Sequence, residues 1–213
     1  MEHKINIKFG EVNNLADARF AAGMGATFLG FNLSPKHPQY ISPNDLKEIS
    51  GWAAGPTIVT EWEDEIPEII SDTCNRLEIE YVQLNNFNPK VTDALKTDFS
   101  VIQNITLGAN DTNGDIIKRI NEVNGLVMYY MYSFNSLSDQ ELFLSKPSHK
   151  LLLTDCCRDF PVLLNFHFTT ENLIPIIEEF KPFGINLKGS SELKPVYNDF
   201  DKLNEIVALL EQD

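Results

Sequence analysis

The chain has 213 residues, 43% of them hydrophobic and 23% charged, a composition typical of a globular domain. Its 17 basic and 31 acidic residues give a formal net charge of −14, which argues against a nucleic-acid partner because nucleic acid needs a cationic surface. No apolar run approaches the roughly 20 residues that span a bilayer. The opening segment MEHKINIKFG lacks the apolar core of a secretory signal. We therefore predict a cytoplasmic protein with no membrane partner.

Eight short runs rich in β-branched and aromatic residues predict β-strands. In chain order they cover residues 5–10, 27–33, 56–62, 81–86, 99–107, 126–133, 161–166 and 184–189. Amphipathic segments between them predict helices at 14–25, 42–53, 63–78, 112–125 and 169–182. Strands that are separated by helices run parallel, and eight such units close a barrel. We predict an α/β protein with one (β/α)₈ TIM-barrel domain over residues 1–213; an open doubly wound sheet is the alternative.

Residues 133–159 give the weakest pattern in the chain. Pro147 interrupts any single helix across this stretch, since proline lacks the amide hydrogen that a helix interior needs. We predict a loop followed by a short helix near 148–157. That interpretation leaves 138–146 as a lid or an extra turn.

The cysteines and histidines give no recognised metal or disulfide pattern. Three cysteines, of which Cys156 and Cys157 are adjacent, make no disulfide framework and lack the spacing of zinc ligands. The four histidines are scattered along the chain. We therefore predict no metal site and no cofactor.

Motifs at both ends of the chain resemble those of phosphoribosylanthranilate isomerases, small barrel enzymes of tryptophan biosynthesis. The segment IKFGEVNNLADARFAAGMGATFLGFNLSPKHPQYISP (7–43) is similar to the family's Lys-Ile-Cys-Gly-Ile-Thr-Asn-Leu, Gly-Ala-Asp, Leu-Gly-Phe and Ser-Pro-Arg-Tyr. The segment YVQLNN stands where the family has Val-Gln-Leu-His-Gly, and GINLKGSSELKP, which begins with the last predicted strand, is similar to the family's Gly-Val-Asp-Val-Ser-Ser-Gly-Val-Glu. The resemblance is weaker from about 87 to 160. It implies a TIM barrel that binds a sugar phosphate-like ligand, as a monomer or a homodimer.

The resemblance also implies an Amadori rearrangement, in which an aminoaldose phosphate becomes an aminoketose. That reaction needs a general base for the proton on the sugar's second carbon and a general acid that opens the ring. In the family the base is the Cys of the first motif and the acid is an Asp at the end of strand six. In this chain Gly10 holds the first position, and the alignment gives Tyr132 the second. Gly10 has no side chain that can take a proton.

The positions that bind substrate in the family are altered as well. Its phosphate is held by the backbone amides of two glycine-rich turns, because glycine lets the main chain approach an oxyanion. The first turn, Ala-Gly-Gly-Leu in the family, is Asn165, Phe166, His167 and Phe168 here, and the second, Ser-Ser-Gly, is Lys188, Gly189 and Ser190. The predicted ligand-binding positions of this chain are Gln39, Asn85, Asn165, Phe166, His167, Asn186, Lys188, Gly189 and Ser190. We predict that Phe166, His167 and Phe168 block the first phosphate turn.

Four residues are candidates for other roles. Glu11 and His167 are substitute acids or bases, although Glu11 follows Gly10 directly and successive strand residues point to opposite faces. Lys188 is a cation for an anionic ligand or, desolvated, for a Schiff base; a solvated lysine at the rim is the alternative. Lys8 is predicted to lie buried and paired inside the barrel, with Gln83 and Gln103 as polar partners.

Three hypotheses for the function follow. The first is a divergent phosphoribosylanthranilate isomerase-like barrel whose isomerase activity is lost or strongly impaired. The second is an active isomerase of tryptophan biosynthesis that uses substitute acid and base groups. The third is a non-catalytic assembly or regulatory partner.

Overall fold

In a computed structural model, which describes residues 5–188 and 205–210, eight parallel strands form a closed barrel in the order β1 to β8. The strands are β1 Asn6–Gly10, β2 Phe28–Asn32, β3 Thr57–Trp62, β4 Tyr81–Leu84, β5 Ser100–Thr106, β6 Tyr129–Ser133, β7 Val162–Asn165 and β8 Gly184–Lys188. Strand β1 pairs with both β2 and β8, which closes the ring. The predicted (β/α)₈ TIM barrel is confirmed, and each of the eight predicted strands overlaps an observed one.

Eight helices connect the strands within residues 5–188. They are α1 Leu15–Gly23, α2 Pro43–Ser50, α3 Pro67–Leu77, α4 Pro89–Leu95, α5 Asn113–Val123, α6 Leu137–Leu144, α7 Pro147–Asp159 and α8 Leu173–Phe180. Several begin at side chains that accept a hydrogen bond from a backbone amide of the first turn, as Asn14, Ser42 and Thr112 do. Proline occupies the first turn of α2, α3, α4 and α7, where its missing amide hydrogen costs nothing. Residues 205–210 are also helical.

The prediction for residues 133–159 is wrong in one respect, because this stretch holds two helices. Residues 138–146, predicted as a lid or extra turn, lie mostly in α6, which Ser136 caps and which ends before Pro147 starts α7. Phe143 buries the inner face of α6 against Phe134, so this helix belongs to the packed wall of the barrel. The prediction that Pro147 prevents a single helix is confirmed.

Side chains inside the barrel change from apolar to polar along its axis. Phe28, Val59, Ile102, Met131 and Leu163 form a buried apolar layer near the amino ends of the strands. Closer to the carboxyl ends the inward positions are polar; the buried members of this layer include Lys8, Glu61, Gln83, Asn104, Ser133 and Asn186. Buried polar groups need partners or a ligand, so the polar layer locates the functional end of the barrel.

Acid is expected to destabilise the protein partly through His149, on α7. The imidazole is buried against Phe143, with 4.3 Å between ring centroids. Burial lowers the pKa of His149, with Lys146 acting in the same direction, while Phe143 and Asp111 oppose the shift. The unfolded chain therefore binds the proton first, so stability present above pH about 6.5 is lost as the pH falls towards the folded pKa. Urea unfolding at pH 7 and pH 5 should show a smaller loss in His149→Phe than in the wild type; equal losses would contradict this role.

Candidate functional site

A polar cavity of about 250 Å³ opens at the carboxyl ends of the strands. Its lining includes the carboxylates of Glu11, Glu61 and Glu63 and seven Asn or Gln side chains. In TIM barrels this end carries the active site, because the loops after the strands converge there. The predicted site residues Gly10, Glu11, Asn85, Asn165, Asn186 and Lys188 all line this cavity.

A buried ion pair between Lys8 and Glu61 forms the floor of the cavity. The two side chains are 0% and 2% exposed, and Lys8 Nζ also donates to Asn186 Oδ1 at 3.1 Å. Glu61 Oε2 accepts the backbone N–H of Glu11 at 3.1 Å. The prediction that Lys8 is buried and paired is confirmed. Such a pair is stable only when its remaining hydrogen-bonding positions are satisfied, as they are here by Asn186 and Glu11.

The partners predicted for Lys8 were wrong. Gln83 faces the interior but donates to Asn85 Oδ1 at 2.6 Å. Gln103 lies between two inward residues of β5, so its side chain points outward, where its Oε1 accepts from Thr92 at 2.7 Å. The actual partner, Glu61, sits on β3 at the alternating position two residues after buried Val59.

Two glycines leave the space that the ion pair fills. A β-carbon on Gly30 would lie 2.0 Å from Glu61 Oε1 and 2.5 Å from Lys8 Nζ. A β-carbon on Gly10 would lie 3.0 Å from both Glu61 Oε1 and Asn186 Oδ1. Position 10, where the resemblance expects a cysteine base, therefore lacks a side chain and faces the closely packed floor of the cavity.

Glu63 is a carboxylate held in place at the rim. Asn85 Nδ2 donates to its Oε1 at 2.6 Å and Asn32 Nδ2 at 3.3 Å. His37 Nε2 lies 4.0 Å from the same oxygen, and its Nδ1 accepts the backbone N–H of Gln39 at 3.2 Å. A neutral His37 therefore carries its proton on Nε2, facing Glu63. The pair combines a hydrogen-bond acceptor with a proton-carrying group.

Glu11 lies at the cavity, so the expectation that its side chain points to the opposite face from Gly10 was wrong. Glu11 follows the last residue of β1 and adopts a left-handed backbone with φ 57°, so the alternation of the strand stops at Gly10. Its carboxylate lies 2.7 Å from Lys188 Nζ at the rim of the cavity. A left-handed non-glycine residue costs about 1 to 2 kcal/mol. The family motif has glycine at this position.

Tyr132 does not face the cavity, which corrects its assignment to the position of the acid. It lies on the outward face of β6, 1% exposed, within the apolar cluster under α7. Burial raises the pKa of Tyr132 well above its usual range, and Cys156 adds to the shift. The inward residue at the carboxyl end of β6 is Ser133, which lines the cavity.

The turn after β7 uses its backbone amides internally. The N–H of His167 donates to Gln140 Oε1 at 2.7 Å, that of Phe168 to the carbonyl of Phe166 at 3.1 Å, and that of Thr169 to Asn172 Oδ1 at 2.8 Å. These are the groups that a phosphate would need at this turn. Phe166 is buried against Phe134, with 4.8 Å between ring centroids, and His167 is exposed at the turn.

Of the remaining predicted ligand positions, Asn165 and Asn186 line the cavity and Gln39 does not. Asn165 Oδ1 accepts from Asn186 Nδ2 at 3.1 Å, so these two amides continue the polar floor. Gln39 is buried beside the β1–α1 loop, where it accepts a hydrogen bond from Asn13, and it does not line the cavity. Gly189 and Ser190 lie outside the described residues.

Sequence reasoning missed Glu61, Glu63, His37 and Asn104. A signal existed for the first two, because Val59, Glu61 and Glu63 alternate and acidic residues are rare inside a strand. Nothing local marked His37 or Asn104. Within the described residues no three His, Cys, Asp or Glu side chains are grouped to hold a metal ion. No helix in that part of the chain is long and apolar enough to cross a membrane.

Comparison with known proteins supports the resemblance. The phosphoribosylanthranilate isomerases of Gloeothece citriformis and Chlorobium chlorochromatii are 23% and 25% identical, covering 95% and 94% of this chain and 92% and 94% of theirs. The isomerase of Thermotoga petrophila is 34% identical over 88 residues, 40% of this chain, so the chain matches only 42% of the length of that relative. No protein-family model matches the chain.

Solved structures share the fold. The phosphoribosylanthranilate isomerase of Thermotoga maritima superposes with a TM-score of 0.78 at 21% identity, covering 97% of this chain and 98% of that one. Another phosphoribosylanthranilate isomerase structure, with a TM-score of 0.77 and 22% identity over the same shares, is a complex with reduced 1-(O-carboxyphenylamino)-1-deoxyribulose 5-phosphate. The fold and the cavity thus define a TIM barrel with a polar site at its carboxyl end. The chain is a phosphoribosylanthranilate isomerase-like TIM barrel.

Proposed function

We propose that this protein is a divergent phosphoribosylanthranilate isomerase-like barrel that has kept a small-molecule site at its mouth but has lost, or nearly lost, the isomerase reaction. The observation that carries the proposal is the floor of the cavity. Gly10 offers no base, and Lys8 with Glu61 fills the space beside it. Both groups are held by each other and by Asn186 and the backbone of Glu11, so neither is free to reach a substrate.

The opposite side of the mouth supports the same proposal. Ser133, at the carboxyl end of β6, carries a hydroxyl whose usual acidity is far too weak to open a sugar ring as an acid at neutral pH. The amides of the turn after β7 are committed to Gln140, Phe166 and Asn172. Loss of the base, of the acid and of one phosphate turn acts on three separate parts of the reaction.

Purified full-length protein given phosphoribosylanthranilate is expected to turn over at least about a thousandfold more slowly than a typical enzyme, since an acid or a base each contributes roughly 10²-fold or more. The conversion is followed by the loss of substrate fluorescence, with an active phosphoribosylanthranilate isomerase as the positive control. Gly10→Cys alone is expected not to restore turnover. Turnover of about 1 per second, within the normal range for enzymes, would contradict the proposal.

One observation favours a second candidate, an active isomerase of tryptophan biosynthesis with substitute groups. Glu63 and His37 place an acceptor and a proton-carrying nitrogen at the rim, 4.0 Å apart. If they replace the missing pair, Glu63→Gln must abolish a turnover that the wild type shows. The same assay therefore separates the two candidates.

The proposal extends to the domain organisation, the location and the oligomeric state of the protein. We take residues 1–213 as one domain, acting in the cytoplasm as a monomer or homodimer. One of the similar structures is of monomers generated from a dimeric phosphoribosylanthranilate isomerase of Thermotoga maritima. Sedimentation of the full chain distinguishes the two states.

A further inference from the structure

We propose that the cavity takes a neutral, hydroxyl-rich compound of monosaccharide size, and that it binds this ligand through hydroxyl hydrogens rather than through a phosphate. This inference rests on the proposed function, since it names the ligand class for the site that the divergent barrel has kept. Four features of the cavity support it: two buried oxygen acceptors, a fixed rim carboxylate, the balance of charge and the size of the space.

The first acceptor is Gln83, whose orientation is fixed by a chain of hydrogen bonds. Glu63 can only accept, so Asn85 must present its NH₂ group to it and its oxygen to Gln83. Gln83 then donates through Nε2, which leaves Oε1 as the free end of the amide. Gln83 is 4% exposed, lines the cavity, and its Oε1 has no hydrogen-bond partner among the described residues.

The second acceptor is Asn104, on the neighbouring strand β5. Its Nδ2 donates to the backbone carbonyl of Asn85 at 3.2 Å, which fixes the direction of this amide as well. Asn104 is 8% exposed and lines the same cavity, and within residues 5–188 and 205–210 nothing donates to its Oδ1. A buried acceptor without a partner is costly, so two of them on neighbouring strands that line one cavity are matched by a ligand that brings donors.

The charges of the cavity disfavour a phosphate. Three carboxylates, those of Glu11, Glu61 and Glu63, face two ammonium groups, those of Lys8 and Lys188. Both ammonium groups are already paired, Lys8 with Glu61 and Lys188 with Glu11. A phosphate monoester brings a charge of about −1.5 to −2 at pH 7 and only acceptor oxygens, so it would meet carboxylates and acceptors alike. Hydroxyl groups, in contrast, donate to the amide oxygens and to Glu63.

The size of the cavity sets the scale of the ligand. About 250 Å³ corresponds to on the order of eight water molecules, which is room for one sugar ring or a short polyol. Gln83, Asn104 and Glu63 all line this one cavity, which places the two acceptors and the rim carboxylate around a single ligand.

The test is a binding panel on the full-length protein. Ribose, ribitol and glucose are compared with ribose 5-phosphate and inorganic phosphate by calorimetry and by ligand-observed NMR. We expect at least one of the neutral compounds to bind with a Kd below about 10 mM, and its phosphorylated counterpart to bind at least about tenfold more weakly. Gln83→Met and Asn104→Leu, which remove the acceptors with little change in volume, should each weaken that binding about tenfold or more.

Asn121→Leu, at an exposed position of α5, is the control for a general effect of replacing an amide, and circular dichroism reports whether each variant is folded. Binding that is unchanged in both acceptor variants overturns the inference, as does the failure of every neutral compound to bind. Tighter binding of ribose 5-phosphate, abolished by Lys188→Ala, also overturns it and places a phosphate on Lys188. The proposed loss of isomerase turnover is tested independently of these outcomes, in the assay with phosphoribosylanthranilate.

Discussion

Replacing Glu61 by Gln is expected to lower the free energy of unfolding by about 3 to 5 kcal/mol, because it leaves a buried ammonium without its counter-charge. Lys8 is 0% exposed, and among the described residues its second partner is Asn186 Oδ1, at 3.1 Å. Against a total stability of about 5 to 15 kcal/mol, such a loss removes a large part of the folding free energy. Urea unfolding measured by circular dichroism gives the number directly.

Two further variants isolate the ion pair as the cause. Removing both charges in Lys8→Met/Glu61→Leu should cost less than Glu61→Gln alone, since no unpaired charge remains. Asp93→Asn breaks the exposed pair with Lys96, whose two atoms are 2.6 Å apart, and should cost no more than about 1 kcal/mol. A Glu61→Gln cost as small as that of Asp93→Asn would show that the buried pair does not stabilise the fold.

Gly30→Ala is expected to destabilise the protein by about 3 kcal/mol, through overpacking and the disruption of the same ion pair. The new β-carbon would stand 2.0 Å from Glu61 Oε1, so the carboxylate must leave Lys8 or the strand must move. Both responses cost free energy, because the neighbouring strands β1 and β3 are hydrogen-bonded on either side of β2.

Gly23→Ala is the matched control. A β-carbon there would meet nothing within 4 Å, and Gly23 is the last residue of α1. Alanine is the better helix former, so this change should be neutral or stabilise by up to about 1 kcal/mol. If Gly30→Ala unfolds at the same urea concentration as Gly23→Ala, the space around Gly30 is not limiting.

The fold was predictable because its signals repeat along the chain. Each strand is a short apolar run, and most helices begin at a capping side chain or a proline that is visible in the sequence, as with Ser42 and Pro43. Helix α6 was missed because its hydrophobic residues do not line one face, so no helical period is evident in the sequence. Helix α4 was missed because it has only seven residues, Pro89–Leu95.

The site was harder to predict because it depends on which way single residues point. Tyr132 and Ser133 are adjacent, yet Tyr132 packs in the core under α7 whereas Ser133 lines the cavity. The left-handed backbone of Glu11 breaks the same alternation. The partner of Lys8 lies 53 residues away, and Glu61 reaches it only because β1 and β3 flank β2, where Gly30 leaves room between them.

The packing beneath Gly10 makes the order of substitutions matter if the barrel is to regain a thiol base. A β-carbon at position 10 is already tight at 3.0 Å from Glu61 Oε1, and the sulfur of a cysteine would extend further. A cysteine at position 10 therefore requires Glu61 to shift or to be replaced, and either change weakens the counter-charge of the buried Lys8. Each single substitution at position 10 or 61 is therefore expected to lower stability. Directed evolution by single substitutions should therefore stall at this position, whereas a library that varies positions 8, 10 and 61 together can remove the buried charge along with its partner.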